Sequence, residues 1–148
     1  LNASTHDRGG ILQNSTPEAL ENTRRLSAKL ERNIGDFTFY ELDEEDGAGT
    51  LVLSYGVTAQ AAREAVSILR ARGDRVSLMV ARTIFPVPPA YWPILGRYRR
   101  VVIAEENLGG TLHQVLFGLA ERPGVSQVNA IGRSVTPEEI AAEVSKNG

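Results

Sequence analysis

Two acidic residues and an amide stand together in the middle of the chain, where a short apolar run ends. Glu105, Glu106 and Asn107 directly follow the run 101–104, which has the composition of a buried strand. A carboxyl group in such a place could act in general acid–base catalysis. Neighbouring residues at a strand end point to opposite sides, however, so Glu105 and Glu106 do not form a paired-carboxylate site. We predict that they serve a polar interface or order the loop, with Asn107 tying down the turn.

A glycine pair, Gly109-Gly110, comes next and precedes an apolar helical pattern over 111–119. Backbone N–H groups at the start of a helix attract anions, so Gly109 and Gly110 are candidates for binding a phosphate or a coenzyme's phosphates. Two glycines without the lysine of a P-loop also occur in an ordinary turn between a strand and a helix. We favour the ordinary turn and keep the anion site as the alternative.

A proline-rich segment follows the preceding predicted strand and should lie at the same edge of the sheet. Arg82 opens it and is predicted to pair with Glu105 or Glu106. Phe85 and Pro86 belong to a stiff apolar loop, which suits docking on another domain or packing on its own domain. The candidate interface residues are therefore Arg82, Phe85, Pro86, Glu105, Glu106 and Asn107.

Composition excludes several kinds of site. The 148 residues contain no cysteine, and hence no disulfide, thiolate nucleophile or cysteine-ligated zinc or iron–sulfur site. His6 and His113 are the only histidines, and neither stands in a metal-ligand or triad pattern. Gly56 follows a predicted strand, but the second and third glycines of a dinucleotide fingerprint are missing. We predict no catalytic residue and no metal ligand in this chain.

Charge and hydropathy exclude two classes of partner. A formal net charge of −2 gives no field that gathers nucleic acid or an anionic membrane. No apolar run approaches the roughly 18 residues of a membrane span, and no signal peptide is visible. We expect a cytoplasmic protein. Because the chain begins with leucine, we interpret it as a piece of something longer.

Strands alternate with helices from residue 50 onward, and the spacing predicts a three-layer α/β/α domain. Predicted strands cover 51–55, 76–81, 101–104 and 125–131, with helices after each of them. These four strands should run parallel. The aromatic–polar alternation of 37–42 adds an edge strand that can run parallel or antiparallel, giving about five strands in a mostly parallel sheet.

The first residues have a different character. Residues 1–15 are polar and read as an arm, after which Thr16 and Pro17 begin a helix that runs to about Asn33. Its apolar face is thin, so we expect it to lie on another surface. We divide the chain into a linker arm with a connecting helix, 1–35, and an α/β domain, 36–148.

Several pieces of the sequence, in order, resemble the C-terminal domain of the α-subunit of 2-oxoacid:ferredoxin oxidoreductases, the 2-oxoglutarate type in particular. This domain belongs to the transketolase C-terminal-domain superfamily. The pieces are His6-Asp7-Arg8-Gly9 with the helix after it, Ser54-Tyr55-Gly56-Val57-Thr58, Arg82-Thr83-Ile84-Phe85-Pro86-Val87-Pro88, Val102-Ile103-Ala104-Glu105-Glu106-Asn107 with Gly109-Gly110, and Thr136-Pro137-Glu138-Glu139-Ile140.

The resemblance implies an enzyme that decarboxylates a 2-oxoacid oxidatively with coenzyme A and passes the electrons to ferredoxin. It also implies thiamine diphosphate, Mg²⁺ and an iron–sulfur cluster in the complex. The nearest string to the family's Gly-Asp-Gly motif is Gly35-Asp36-Phe37, which lacks the second glycine. We therefore expect no cofactor in this chain, which alone would be inactive and would act in subunit and domain assembly.

The implied partners are a β-subunit that carries the thiamine diphosphate motif and a ferredoxin or ferredoxin-like subunit. Two alternatives stay open. One is a free-standing doubly wound module that binds a phosphate-bearing ligand at Gly109-Gly110. The other is the equivalent domain of another thiamine enzyme, of the transketolase or pyruvate dehydrogenase type.

Overall fold

The first residues of the chain form a short arm and one long helix. The computed structural model describes residues 5–13 and 16–146, so residues 1–4 and 14–15 of the predicted arm lie outside the described residues. The chain divides into two compact units, Leu1–Phe37 and Thr38–Gly148. In the first unit, α1 (Pro17–Arg32) begins as predicted, with the Thr16 side chain accepting a hydrogen bond from the Ala19 N–H. A 3₁₀ turn over Ile34–Phe37 follows it.

The apolar face of α1 is open in this unit. Ala19 is the one buried residue of the helix, whereas Leu20, Leu26 and Leu30 are each more than two-fifths exposed. A helix with few apolar residues and little burial gains its stability mainly from caps and charge pairs.

The second unit is built on one five-stranded sheet. Its strands are β1 (Tyr40–Asp43), β2 (Thr50–Tyr55), β3 (Val76–Ala81), β4 (Arg100–Glu105) and β5 (Val125–Asn129). Their order across the sheet is β1-β3-β2-β4-β5, with β1 antiparallel to β3 and all other pairs parallel. The predicted mostly parallel sheet is confirmed, and its edge strand runs antiparallel. That strand begins later than predicted because Ile34–Phe37 forms the 3₁₀ turn.

Helices cover both faces of the sheet, as predicted for three layers. These are α2 (Thr58–Ala71), α3 (Tyr91–Leu95), α4 (Thr111–Phe117) and α5 (Pro137–Ser145). Side chains alternate along each strand, so Val52 packs beneath α2 and α5 while Leu51 and Leu53 pack beneath α3 and α4. No helix among the described residues is both long and apolar enough to cross a membrane.

The start of α5 is fixed by a reciprocal cap. The Glu139 N–H donates to the Thr136 hydroxyl, and the Thr136 N–H donates to the Glu139 carboxylate. Arg133 also donates to both carboxylate oxygens, at 2.6 and 2.9 Å. The hydrogen bonds from Arg133 and from the Thr136 backbone lower the pKa of Glu139 to about 2.

This cap predicts a specific acid dependence of stability. Because the folded pKa of Glu139 lies below the unfolded value of about 4.3, its stabilising contribution is complete above that pH and is lost as the pH falls toward 2. Glu139→Gln should therefore flatten the fall in melting temperature between about pH 4.3 and pH 2. Glu138→Gln, an exposed change in the same turn, is the control. A Glu139→Gln curve parallel to that of the wild type would contradict the prediction.

Candidate functional site

One edge of the sheet collects the segments that carry the candidate residues. The four parallel strands all end there, and the antiparallel β1 begins there, with Tyr40 opposite Ala81. We call this the carboxyl edge and define it by the loops 38–39, 56–57, 82–90, 106–110 and 130–136. In open α/β sheets this is where ligands and partners bind.

Glu105, the last residue of β4, is fully buried and caps the start of α4. Its Oε2 accepts the Leu112 N–H at 2.8 Å and the Asn107 side-chain amide at 2.5 Å, and its Oε1 accepts the His113 N–H at 3.4 Å. A carboxylate is favourable there because the N-terminus of a helix carries partial positive charge. Glu105 therefore orders the loop, which is one of the two roles considered for it, and its burial leaves no exposed surface for a partner.

Asn107 completes the same cap. Its Oδ1 accepts the Thr111 N–H at 3.0 Å, as expected of a side chain that ties down the turn. The N-cap position itself is Gly110, which has no side chain to offer. A Cβ at Gly110 would lie 1.9 Å from the Gln127 Oε1, and its φ of 63° also favours glycine. The exposed Gln127 side chain can move away, so it is the backbone conformation that favours glycine here.

The first N–H groups of α4, which the anion-site alternative at Gly109-Gly110 would use, are engaged within the domain. The N–H groups of Thr111, Leu112 and His113 are already bound by Asn107 and Glu105. A phosphate at this helix start would have to displace a buried carboxylate. The geometry instead supports the ordinary strand-to-helix turn.

Tyr55, at the end of β2, extends the Glu105–Asn107 cluster and was not singled out from the sequence. Its hydroxyl lies 3.4 Å from the Asn107 side-chain nitrogen. Burial, and next the negative charge of Glu105, raise the pKa of Tyr55. The phenol therefore stays neutral at physiological pH and serves as a hydrogen-bonding group. Its position as the last residue of a predicted strand, directly before Gly56, is the signal that could have placed it here.

Arg82 pairs with Glu41 of β1, which also pairs with Arg63 of α2. The prediction that it pairs with Glu105 or Glu106 is wrong. The reason lies in the strand order: β2 separates β3 from β4, which puts the ends of those two strands about 9.6 Å apart. β1 is the direct neighbour of β3 and brings Glu41 opposite Val80.

The loop 82–90 has a buried anchor and an exposed tip. The Tyr91 hydroxyl donates to the Thr83 carbonyl at 2.7 Å and lies 3.2 Å from the Phe39 carbonyl. Tyr91 is only 1% exposed, and its burial raises the pKa of the phenol. Phe85 is 81% exposed, so an anchored loop presents an apolar ring to solvent.

Removing the Tyr91 hydroxyl should loosen this loop. Tyr91→Phe keeps the packing but removes the hydrogen bond from the Tyr91 hydroxyl to the Thr83 carbonyl, so we expect a loss of about 1 kcal/mol in the free energy of unfolding. Hydrogen exchange should increase in 82–90 and stay unchanged in β5. Tyr98→Phe is the control, and an equal loss in both variants would contradict a role specific to the Tyr91 hydroxyl.

The groups at the carboxyl edge are engaged in structure more than in chemistry. Glu105 is held by three donors, and Arg82 by a carboxylate. No group of three acidic, histidine or cysteine side chains that could hold a metal occurs among the described residues. Asp36, of the string nearest to the Gly-Asp-Gly motif, lies in the 3₁₀ turn Ile34–Phe37.

Comparisons with known proteins point to one group of enzymes. No protein-family model matches the chain. It is 28% identical over 145 residues to the 2-oxoglutarate synthase subunit KorA of Methanothermobacter thermautotrophicus, covering 96% of this chain and 39% of that protein. The KorA subunit of Methanocaldococcus jannaschii is 28% identical over 141 residues, covering 95% of this chain and 38% of that protein. The chain thus spans about two-fifths of the length of these curated relatives.

Comparison with solved structures points to the same group of enzymes. A 2-oxoglutarate:ferredoxin oxidoreductase from Magnetococcus marinus, with 2-oxoglutarate, coenzyme A and succinyl-CoA bound, matches with a TM-score of 0.78 and 25% identity. The match covers 95% of this chain and 25% of that chain. A split-gene transketolase matches with a TM-score of 0.55 and 22% identity over 72% of this chain and 40% of its own, which shows a shared fold. The resemblance read from the sequence is confirmed.

Proposed function

We propose that this chain is the C-terminal domain of the α-subunit of a thiamine-diphosphate-dependent 2-oxoacid:ferredoxin oxidoreductase. The complex would convert a 2-oxoacid, which we take to be 2-oxoglutarate, and coenzyme A to an acyl-CoA and carbon dioxide, with ferredoxin as the electron acceptor. The domain itself would act in subunit and domain assembly.

One observation carries this proposal. Nearly the whole chain, 95%, superposes with a TM-score of 0.78 on an enzyme whose structure holds 2-oxoglutarate, coenzyme A and succinyl-CoA. The KorA relatives agree in name and match over a similar share of the chain. A fold alone hosts many functions, so the sequence similarity over the same region matters as much as the superposition.

The assembly role is supported by what the polar groups of the domain do. The carboxylate best placed for acid–base work, Glu105, accepts two backbone N–H groups and a side-chain amide. The thiamine diphosphate, Mg²⁺ and iron–sulfur cluster would then belong to other parts of the complex, with a β-subunit and a ferredoxin-like subunit as partners.

Isolation of the complex tests the proposal. The full-length gene product that contains this chain should be captured from its source organism, and the associated subunits and bound cofactors identified by mass spectrometry. We expect a subunit with the thiamine diphosphate motif, together with thiamine diphosphate and iron. Recovery of the protein alone, or with a transketolase or dehydrogenase core, would contradict the proposal.

Phe85 should contribute to that assembly. It is a large aromatic side chain held out from an anchored loop, and aromatic residues dominate the energetics of protein interfaces. Phe85→Ala should weaken subunit association by about tenfold, which corresponds to about 1.4 kcal/mol, without changing the melting temperature of the isolated subunit. Leu119→Ala, at a side chain that is 86% exposed in the loop after α4, is the control. A complex that assembles equally well in both variants would contradict the role of Phe85.

A further inference from the structure

Exposed apolar side chains of the second unit are concentrated at the carboxyl edge. Eight large apolar side chains are exposed among its described residues. Five of them lie in the loops of this edge, and the sixth, Tyr40, begins β1 beside them: Phe39, Tyr40, Val57, Phe85, Leu108 and Ile131. Every strand of the sheet contributes at least one of the six. Because neighbouring strands lie about 4.8 Å apart, the row crosses about 19 Å of surface.

Apart from Tyr40, these side chains are more than half exposed and stand on loops with few charges. Val57, Phe85, Leu108 and Ile131 are between 67% and 81% exposed. Only three of the 25 residues in the loops of the carboxyl edge are charged. At the opposite edge, ten of the 21 residues in the loops 44–49, 72–75, 96–99 and 118–124 are charged. Apolar surface with few charges on one side of a domain is the composition of the core of a protein interface.

The three charges of the carboxyl edge are not equivalent. Arg82 is paired with Glu41, and Arg133 is paired with Glu139. Glu106 is exposed and makes no ion pair with any residue in the described part of the chain. It follows Glu105 at the end of β4, between the loops that carry Val57 and Ile131 in the order of the sheet.

We propose that the carboxyl edge docks an apolar protein surface that places a lysine or arginine against Glu106. An apolar row suits an apolar partner, but a carboxylate buried without a counter-ion is costly, so the partner must supply a cation at that point. This inference rests on the proposed function, because the partner would be another part of the same oxidoreductase.

Chemical labelling of the assembled complex tests the docking surface directly. The full-length subunit, free and in the purified complex, is treated with a carbodiimide and glycine ethyl ester, which modify accessible carboxylates, and with hydroxyl radicals, which modify accessible leucines. We expect assembly to protect Glu106 and Leu108 several-fold. Glu121 and Leu119 are exposed in loops of the opposite edge and should be labelled equally in both states.

A charge reversal tests the chemistry of the partner. Glu106→Lys should raise the dissociation constant of the complex by about 100-fold, because like charges would face each other in a dry contact. Glu121→Lys makes the same change at the opposite edge and should leave the dissociation constant unchanged. Carbodiimide without added amine should link Glu106 to a lysine of another subunit or domain where the cation is a lysine.

The outcomes separate this inference from the proposed function. An active complex in which Leu108 and Glu106 stay fully labelled overturns the docking surface and leaves the function standing. Protection of Leu108 without protection of Glu106 overturns the proposal that the partner places a lysine or arginine against Glu106. A cross-link from Glu106 to a second copy of this chain, or to the chain's own arm, overturns the heterologous partner. Failure to recover any complex overturns both proposals.

Discussion

Replacing Glu105 by alanine should lower the free energy of unfolding by about 3 kcal/mol. The change removes a fully buried acceptor and leaves the Leu112 N–H, itself in a buried position, without a partner. The Asn107 amide keeps only its longer hydrogen bond to the Tyr55 hydroxyl. The substitution also removes the negative charge from the start of α4, a helix whose N-cap residue, Gly110, has no side chain to cap it. Thermal unfolding should show a melting temperature lowered by about 10 °C.

The neighbouring glutamate provides the matched control. Glu106 is exposed and makes no ion pair with the residues that the structure describes, so Glu106→Ala should change the free energy of unfolding by no more than about 0.5 kcal/mol. Glu105→Gln keeps the shape of the side chain and one acceptor oxygen. Its free energy of unfolding should lie between those of the Glu105→Ala and Glu106→Ala variants. Equal stability of the Glu105→Ala and Glu106→Ala variants would contradict the capping role.

Replacing Gly124 by alanine should cost a similar amount, about 3 kcal/mol, for a different reason. Gly124 stands directly before β5, and its carbonyl accepts the Val101 N–H at 2.8 Å where β4 and β5 begin to pair. A Cβ at this position would lie 2.5 Å from the Arg99 carbonyl oxygen, a backbone atom that cannot turn away. Its φ of 79° is also unfavourable for a residue with a Cβ.

Gly132→Ala separates the steric contact of the added Cβ from the conformational cost of a positive φ. Gly132 has a similar φ of 73°, but a Cβ there meets nothing within 4 Å. This variant should lose only the conformational cost, about 1 kcal/mol. Denaturant unfolding measures the free energy of unfolding of both variants. The difference between the two values is the cost of separating the backbones where β4 and β5 begin. If Gly124→Ala were no worse than Gly132→Ala, the close approach to Arg99 would not constrain the sheet.

The sequence predicted the layers of the domain well because its patterns are local. The apolar runs of β2, β3 and β4 are buried on both faces, and continuous apolar runs are typical of parallel strands beneath two helical layers. The direction of β1 could not be predicted, because its short alternating pattern fits either direction. The ends of some elements differ from the predicted ends where a turn intervenes. One example is Gly118, which ends α4 two residues before the predicted end at residue 119.

The candidate site was predicted in position but not in its contacts. Alternation at a strand end correctly separated Glu105 from Glu106, yet the sequence did not say which of the two is buried. The partner of Arg82 was missed because it depends on strand order, which a list of elements does not give. The row from Phe39 to Ile131 was missed for the same reason: its members are far apart in sequence and meet only at the edge of the sheet.

The measurement that tests the central claim most directly is the activity of the purified complex that contains this chain. With 2-oxoglutarate, coenzyme A and oxidised ferredoxin supplied, we predict formation of succinyl-CoA and reduction of ferredoxin, both lost when coenzyme A or the 2-oxoacid is omitted. Activity with another 2-oxoacid instead of 2-oxoglutarate would change the proposed substrate but not the proposed class of reaction. A complex that fails to reduce ferredoxin with every 2-oxoacid tested would contradict the assignment of this chain to a 2-oxoacid:ferredoxin oxidoreductase.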